Sequence, residues 1–441
     1  MYALIRYEIK KMLTDTAAKY VFVLLLGWTF FSVYTVITGY WCSAPYSDSE
    51  AAADLSTGRG YMGLKAIKET KRQYRQYTGD TVLSVPLLRD AYRVKQRLKE
   101  DFKKEAEAAG WPPFLYNEYM ERNSLKMSDF YPDSVKLFLY LMTSESLGGA
   151  AEDAVPDSLY EDHFDARVDS GITREESERH LLRQKCAELP VPFRFGYCAG
   201  WEQVGGKFRT FVYWLPALIT LFFILILKYE QESGMDTITF TAVYGRTKGV
   251  YAKLVAGVCT AVILYTAVSL VYALSLLSIF GFEGGTYPIQ ITSWANYYIM
   301  SAYPLNLMQC CLVQYLMGLT VTVSAVLCAY WVFSLVRNAF VSLAVVWALY
   351  YGIKLLSSLP PAYNELHSNL HVSDLQRYIQ SIGVNALNML YIFCGQILDG
   401  DFIYFFGIPV LRAYGLVIVY AAVSIALAGM SIYRYRRCEI R

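Results

Sequence analysis

Six long apolar stretches constrain this chain more than any other feature. A helix rises 1.5 Å per residue, so crossing a bilayer takes roughly 20 apolar residues. The sequence offers such stretches at residues 20–40, 209–228, 254–280, 305–336, 339–356 and 408–433. The second is short, and the fifth carries Lys354 near one end, where a long side chain can reach the interface. Tyr and Trp recur near the ends of these stretches, as at membrane–water boundaries. The expected fold is therefore an all-α polytopic membrane protein with six transmembrane helices. A large, mainly helical extracytoplasmic domain, residues 41–208, separates the first from the second.

Charge distribution supports that division. The chain is 55% hydrophobic and 18% charged, against roughly a quarter charged in soluble domains. Residues 41–208 hold 23 basic and 27 acidic residues, whereas the rest holds 17 basic and 11 acidic. Nothing in this balance points to nucleic acid. The first apolar stretch is expected to be a retained helix. Tyr40, Trp41 and Cys42 stand where a signal peptide would carry small residues for cleavage.

The short-loop basic residues give an orientation. Lys10, Lys11 and Lys19 precede the first span; Lys228, Arg246, Lys248 and Lys253 lie between the second and third. Arg337 lies in the turn 337–338, and Arg434, Arg436, Arg437 and Arg441 fill the tail 434–441. Six spans place all of them on one side, which the positive-inside rule makes cytoplasmic. The loop 281–304 is poor in positive charge, as the opposite side should be.

Within 41–208, residues 66–109 read mainly as helix, with Val94, Leu98 and Phe102 on one apolar stripe. Residues 134–147 form a second expected helix. A third, 173–188, opens with Thr173 and Glu176 at capping-box spacing. The outer segment 357–407 is expected to include helices over 372–401 that dip to the membrane surface. Cys42, Cys186 and Cys198 share the outer domain, and their spacing does not assign a disulfide.

Catalytic patterns are missing. There is no G-x-x-x-x-G-K-[ST] phosphate cradle, no H-E-x-x-H and no C-x-x-C, so no enzyme activity, cofactor or metal is expected in this chain. His367 and His371 share helical spacing, and two ligands alone do not make a metal site. Carboxylates are absent from the span centres, which disfavours an ion-coupled carrier.

Two cytoplasmic pieces remain. Residues 1–19 carry Leu4, Ile5, Ile9, Met12 and Leu13 at helical spacing beside Arg6, Lys10 and Lys11, the pattern of an interfacial helix. Residues 229–253 contain Glu230, Glu232, Ser233, Gly234, Arg246 and Lys253, with a short helix expected over 238–243. In order and spacing this loop resembles that of permeases of ABC exporters of the second exporter class. There an acidic residue, a small-residue step, a short coupling helix, an arginine and a lysine opening span three follow one another. Val243 departs from the pattern, standing where the family often has proline. The N-terminal helix resembles the family's connecting helix, the turn at 333–338 its cytoplasmic turn, and 357–407 its outer re-entrant pair.

The resemblance implies a permease subunit in a plasma membrane, by analogy bacterial. It would be paired with a second permease, identical or related, and with separate cytoplasmic ATPase subunits that hold ATP and Mg. Glu230, Glu232, Ser233, Gly234, Arg246 and Lys253 would couple this chain to the ATPase. The transported substrate is not implied. A non-transporting receptor or scaffold that uses 41–208 as a sensor is the alternative reading.

Overall fold

The computed structural model describes residues 2–14, 16–42, 61–74, 81–108, 110, 157, 159–160, 176–235, 241, 245–291, 303–357, 402–405 and 408–437. Expectations for 134–147, for 372–401, for His367 and His371, and for Thr173 lie outside these residues. So does the helix expected over 238–243, apart from Thr241.

Helix α1 spans Tyr2–Thr14, and α2 spans Thr16–Thr38. The domain between α2 and the second span contributes α3 (Leu64–Gln73), α4 (Val85–Ala108) and α5 (Glu176–Ala187). The bundle continues with α6 (Ala199–Glu232), α7 (Val250–Phe280), α8 (Leu307–Val336), α9 (Ala339–Ser357) and α10 (Arg412–Arg437). Among the described residues, five helices are long and apolar enough to cross a membrane: α2, α6, α7, α8 and α10. The chain is a multi-pass, mostly helical membrane protein.

Helix α6 is central, packing against α2, α7, α8 and α9, while α8 also packs against α10. Buried aromatic side chains fill the seams, including Phe211, Phe222, Phe223, Tyr265, Tyr272 and Tyr330. With no hydrophobic drive between helices inside lipid, such van der Waals packing must carry much of the association.

Four boundaries differ from the sequence reading. Helix α6 begins at Ala199 and runs to Glu232, well beyond 209–228 at both ends. Helix α7 begins at Val250, so Lys253 lies within it rather than in a loop. The stretch 66–109 is two helices; Pro86 sits in the first turn of α4, where a missing N–H costs nothing. Ile408–Leu411 is a strand paired antiparallel with Phe402–Phe405, and the last helix starts only at Arg412. Apolar content alone does not separate a short strand from a helix. Here Pro409 and the β-branched Ile408 and Val410 favour the ribbon.

Helix α8 begins at a capping box. Asn306 Oδ1 accepts from the Gln309 backbone N–H at 2.8 Å, and Gln309 Oε1 accepts from the Asn306 N–H at 3.0 Å. It ends where Arg337 adopts a left-handed φ of 53°. The domain has its own core of Leu83, Leu88, Ala91, Tyr92, Tyr160, Phe193 and Phe195, with Val94 and Leu98 packed beside it. Val94 and Leu98 of the expected stripe on α4 thus face a partner, and the Phe102 side chain lies outside the described ones. Tyr160 donates from its hydroxyl to the Leu83 carbonyl at 2.6 Å, and burial pushes its phenol pKa up. Ile291, from the loop after α7, belongs to the same core and ties the domain to the bundle.

Candidate functional site at the α1, α6 and α7 ends

The last turn of α6 places Glu230 inward, with 2% of its side chain exposed. Two lysines from distant parts of the chain meet it. Lys11 of α1 donates from Nζ to Glu230 Oε1 at 2.6 Å, and Lys253 of α7 forms an ion pair with Oε2. Glu8, one turn before Lys11, lies 3.8 Å from the same ammonium. The cluster therefore balances two carboxylates against two ammonium groups.

A buried carboxylate is tolerated only when paired, and this one joins three helices at a single point. Apolar contacts reinforce the junction. Met12 is fully buried, and its sulfur lies 3.8 Å from the Thr260 hydroxyl of α7.

The other predicted residues separate into two groups. Glu230 and Lys253 are brought together in the interior, not displayed on a loop. Glu232 is exposed on the last turn of α6, 3.6 Å from Lys228. Ser233 caps that turn, its hydroxyl donating to the Glu230 carbonyl at 3.1 Å. Gly234 follows with φ of 69° and open space around it. The backbone of Arg246 lies in a π-helical turn, Gly245–Gly249, that leads directly into α7.

Lys11 is the member that sequence reasoning missed as a site residue. Its type and its place on α1 were legible, but its partner lies 219 residues away, and no local spacing encodes that contact.

Further contacts gather at this same end. Lys228 lies over the Phe340 ring at 5.6 Å, at the start of α9. Arg436 donates to the Tyr251 hydroxyl at 3.2 Å and lies over its ring. The basic groups before the first span, between the second and third, and in the tail therefore share one end of the bundle. The start of α9, just after Arg337, lies there too.

No protein-family model matches the chain, and comparison with curated proteins and with solved structures finds no match. Among the described residues, no group of three or more His, Cys, Asp or Glu side chains could hold a metal ion. Cys198 is a buried thiol outside any disulfide. Burial, then the nearby Glu202 carboxylate, pushes its pKa up, which suppresses thiolate reactivity.

Proposed function

We propose that this chain is the permease subunit of an ATP-driven exporter, converting ATP hydrolysis by a separate cytoplasmic ATPase into substrate export. The observation that carries this reading is the Lys11–Glu230–Lys253 junction. It fastens α1 and the ends of two apolar helices into one unit that bears the connecting segment 233–249. A force applied to that segment is passed to α1, α6 and α7 together. Helices that moved independently would dissipate it.

In this reading Glu232, Ser233, Gly234 and Arg246 meet the ATPase, while Glu230 and Lys253 transmit the movement internally. ATP and Mg belong to the ATPase, and this chain is not an enzyme. Two permeases, identical or related, form the path.

A parity argument supports six crossings. Helix α1 lies beside Glu230 and Arg436 of α10 beside Tyr251, so α1 and the end of α10 share one end of the bundle. That arrangement favours an even number of crossings, and the five apolar helices among the described residues are odd. Helix α9, whose described apolar part is Ala339–Tyr350, supplies the sixth. The basic residues gathered at the shared end support its assignment to the cytoplasm.

The test is ATP turnover in vesicles that hold the chain with and without its cognate ATPase. The expected result is no hydrolysis by the chain alone and stimulated turnover by the pair. Glu232→Lys and Gly234→Val should lose stimulation at normal membrane abundance. The second forces a β-branched residue into a positive φ. Hydrolysis by the isolated chain, or full stimulation in both variants, would overturn the assignment.

A further inference from the structure

Helix α2 ends at Thr38, which also closes its apolar window. The chain then turns at Gly39 into Trp41–Cys42, a strand paired antiparallel with Tyr61–Met62, and α3 starts at Leu64. The returning strand is fastened back onto the span. Gly63 donates its N–H to the Tyr40 carbonyl at 2.7 Å, with a φ of 63° that glycine adopts without strain. The Tyr40 hydroxyl donates to Thr70 Oγ1 of α3 at 3.2 Å, and its ring meets Phe280, the last residue of α7, edge-on at 5.0 Å. The ribbon and α3 therefore sit on the ends of α2 and α7.

Helix α3 has two unlike faces. Ala66 and Ile67 are buried, and Ile67 joins the core of the bundle. Leu64, Lys65, Lys68, Lys71 and Arg72 are exposed, and their helical spacing puts them on one opposite face. That face opens with an apolar residue and continues with cations. Two more apolar side chains adjoin its start, Trp41 and Met62, which stand directly across the ribbon from each other. Trp41 is 51% exposed, and Met62 and Leu64 are each 62% exposed. Scattered exposed apolar residues need no explanation, whereas neighbouring large ones mark a surface that something covers.

Its place in the fold selects the cover. The side chains of Phe30, Phe31 and Tyr34 are exposed along the span, and Trp41 comes three residues after the apolar window closes. Trp is enriched at that level of a membrane protein, where an apolar ring and a polar N–H are both accommodated. Lysines beside such a patch lay their stems on apolar surface and keep the ammonium among the headgroups. We infer that the ribbon and the start of α3 lie in the bilayer surface at this end of the bundle. Trp41, Met62 and Leu64 enter the boundary between headgroups and acyl chains, and Lys65 and Lys68 meet lipid phosphates. Helix α3 is then an interfacial helix, and through Thr70 and Tyr40 the bilayer surface holds the domain over the ends of α2 and α7. The inference needs only a multi-pass chain and is independent of the ATPase partner.

The test measures the depth of a nitroxide in the full chain, reconstituted in phospholipid vesicles. A genetically encoded ketone side chain carries the label at Met62, at Leu64 or at the exposed Glu107 of α4, one position at a time. All three positions are exposed, so the label replaces no buried contact. Relaxation by oxygen, which concentrates in lipid, is compared with relaxation by a water-soluble nickel chelate. The ratio of oxygen to nickel accessibility should be several-fold higher at Met62 and Leu64 than at Glu107. A ratio at Met62 and Leu64 equal to that at Glu107 would place the patch in water and overturn the inference. Exclusion of both reagents from Met62 and Leu64 would overturn it as well, because protein and not lipid would then cover the patch.

Discussion

Helices α6 and α7 are fastened to each other at both ends, and the two fastenings use different physics. At the end shared with α1, Glu230 is buried between Lys11 and Lys253, so the joint is ionic. At the other end the joint is neutral and close-packed. The Tyr197 hydroxyl donates to the Phe280 carbonyl, and the Trp201 indole donates to the Phe282 carbonyl at 2.9 Å. Gly200 lies so near the chain that a Cβ there would stand 2.0 Å from the Gly281 carbonyl oxygen.

The contrast separates two ways of making a joint. A neutral joint holds by fit, and loses strength in small steps as each contact is removed. An ionic joint is all or nothing, because deleting the buried carboxylate leaves two half-buried ammonium groups without the charge they share. A pivot that must carry force suits the second kind, and a seam that must simply stay closed suits the first.

The largest effect should therefore come from Glu230→Ala. It removes the carboxylate that Lys11 and Lys253 share, and breaking such a buried pair costs about 3–5 kcal/mol. Thermal unfolding of the purified chain in one detergent should show a large loss of stability. A change no bigger than that of a surface mutant would erase the distinction between the two ends.

Next comes Gly200→Val at the neutral end. A branched side chain cannot fit against the Gly281 carbonyl, and overpacking costs about 1–3 kcal/mol. The same unfolding assay should show an intermediate loss. Trp201→Phe should do least, since it deletes one neutral hydrogen bond worth about 0.5–1.5 kcal/mol and keeps an aromatic ring. If that variant matched Glu230→Ala, the neutral joint would be the stronger one.

These joints differ too in how far they were legible in the sequence. The apolar runs marked the spans, because a charge-poor run of roughly 20 residues matches the thickness of a bilayer core. Helix α1 was legible from the spacing of Leu4, Ile5, Ile9 and Met12. Asn306 and Gln309 stand at capping-box spacing, so the start of α8 was readable from a local signal as well. The strand at Ile408–Leu411 was not, since an apolar run next to a span looks like its first turn.

For the site, Glu230, Gly234 and Lys253 stood out by type and order, and Gly234 takes a positive φ that glycine adopts without strain. Their separation into buried and exposed groups was hidden. It depends on where α6 ends and on Lys11 arriving from the far N-terminal helix, and both are set by packing among helices.

The central claim is that the ionic joint makes α1 and the end of α6 one rigid unit. Spin labels at the exposed positions Tyr7 and Glu232 read that directly as a distance distribution by pulsed electron paramagnetic resonance. The account predicts one narrow distribution in the otherwise wild-type chain, unchanged by Trp201→Phe and clearly broadened by Glu230→Ala. A distribution just as narrow in Glu230→Ala would contradict it.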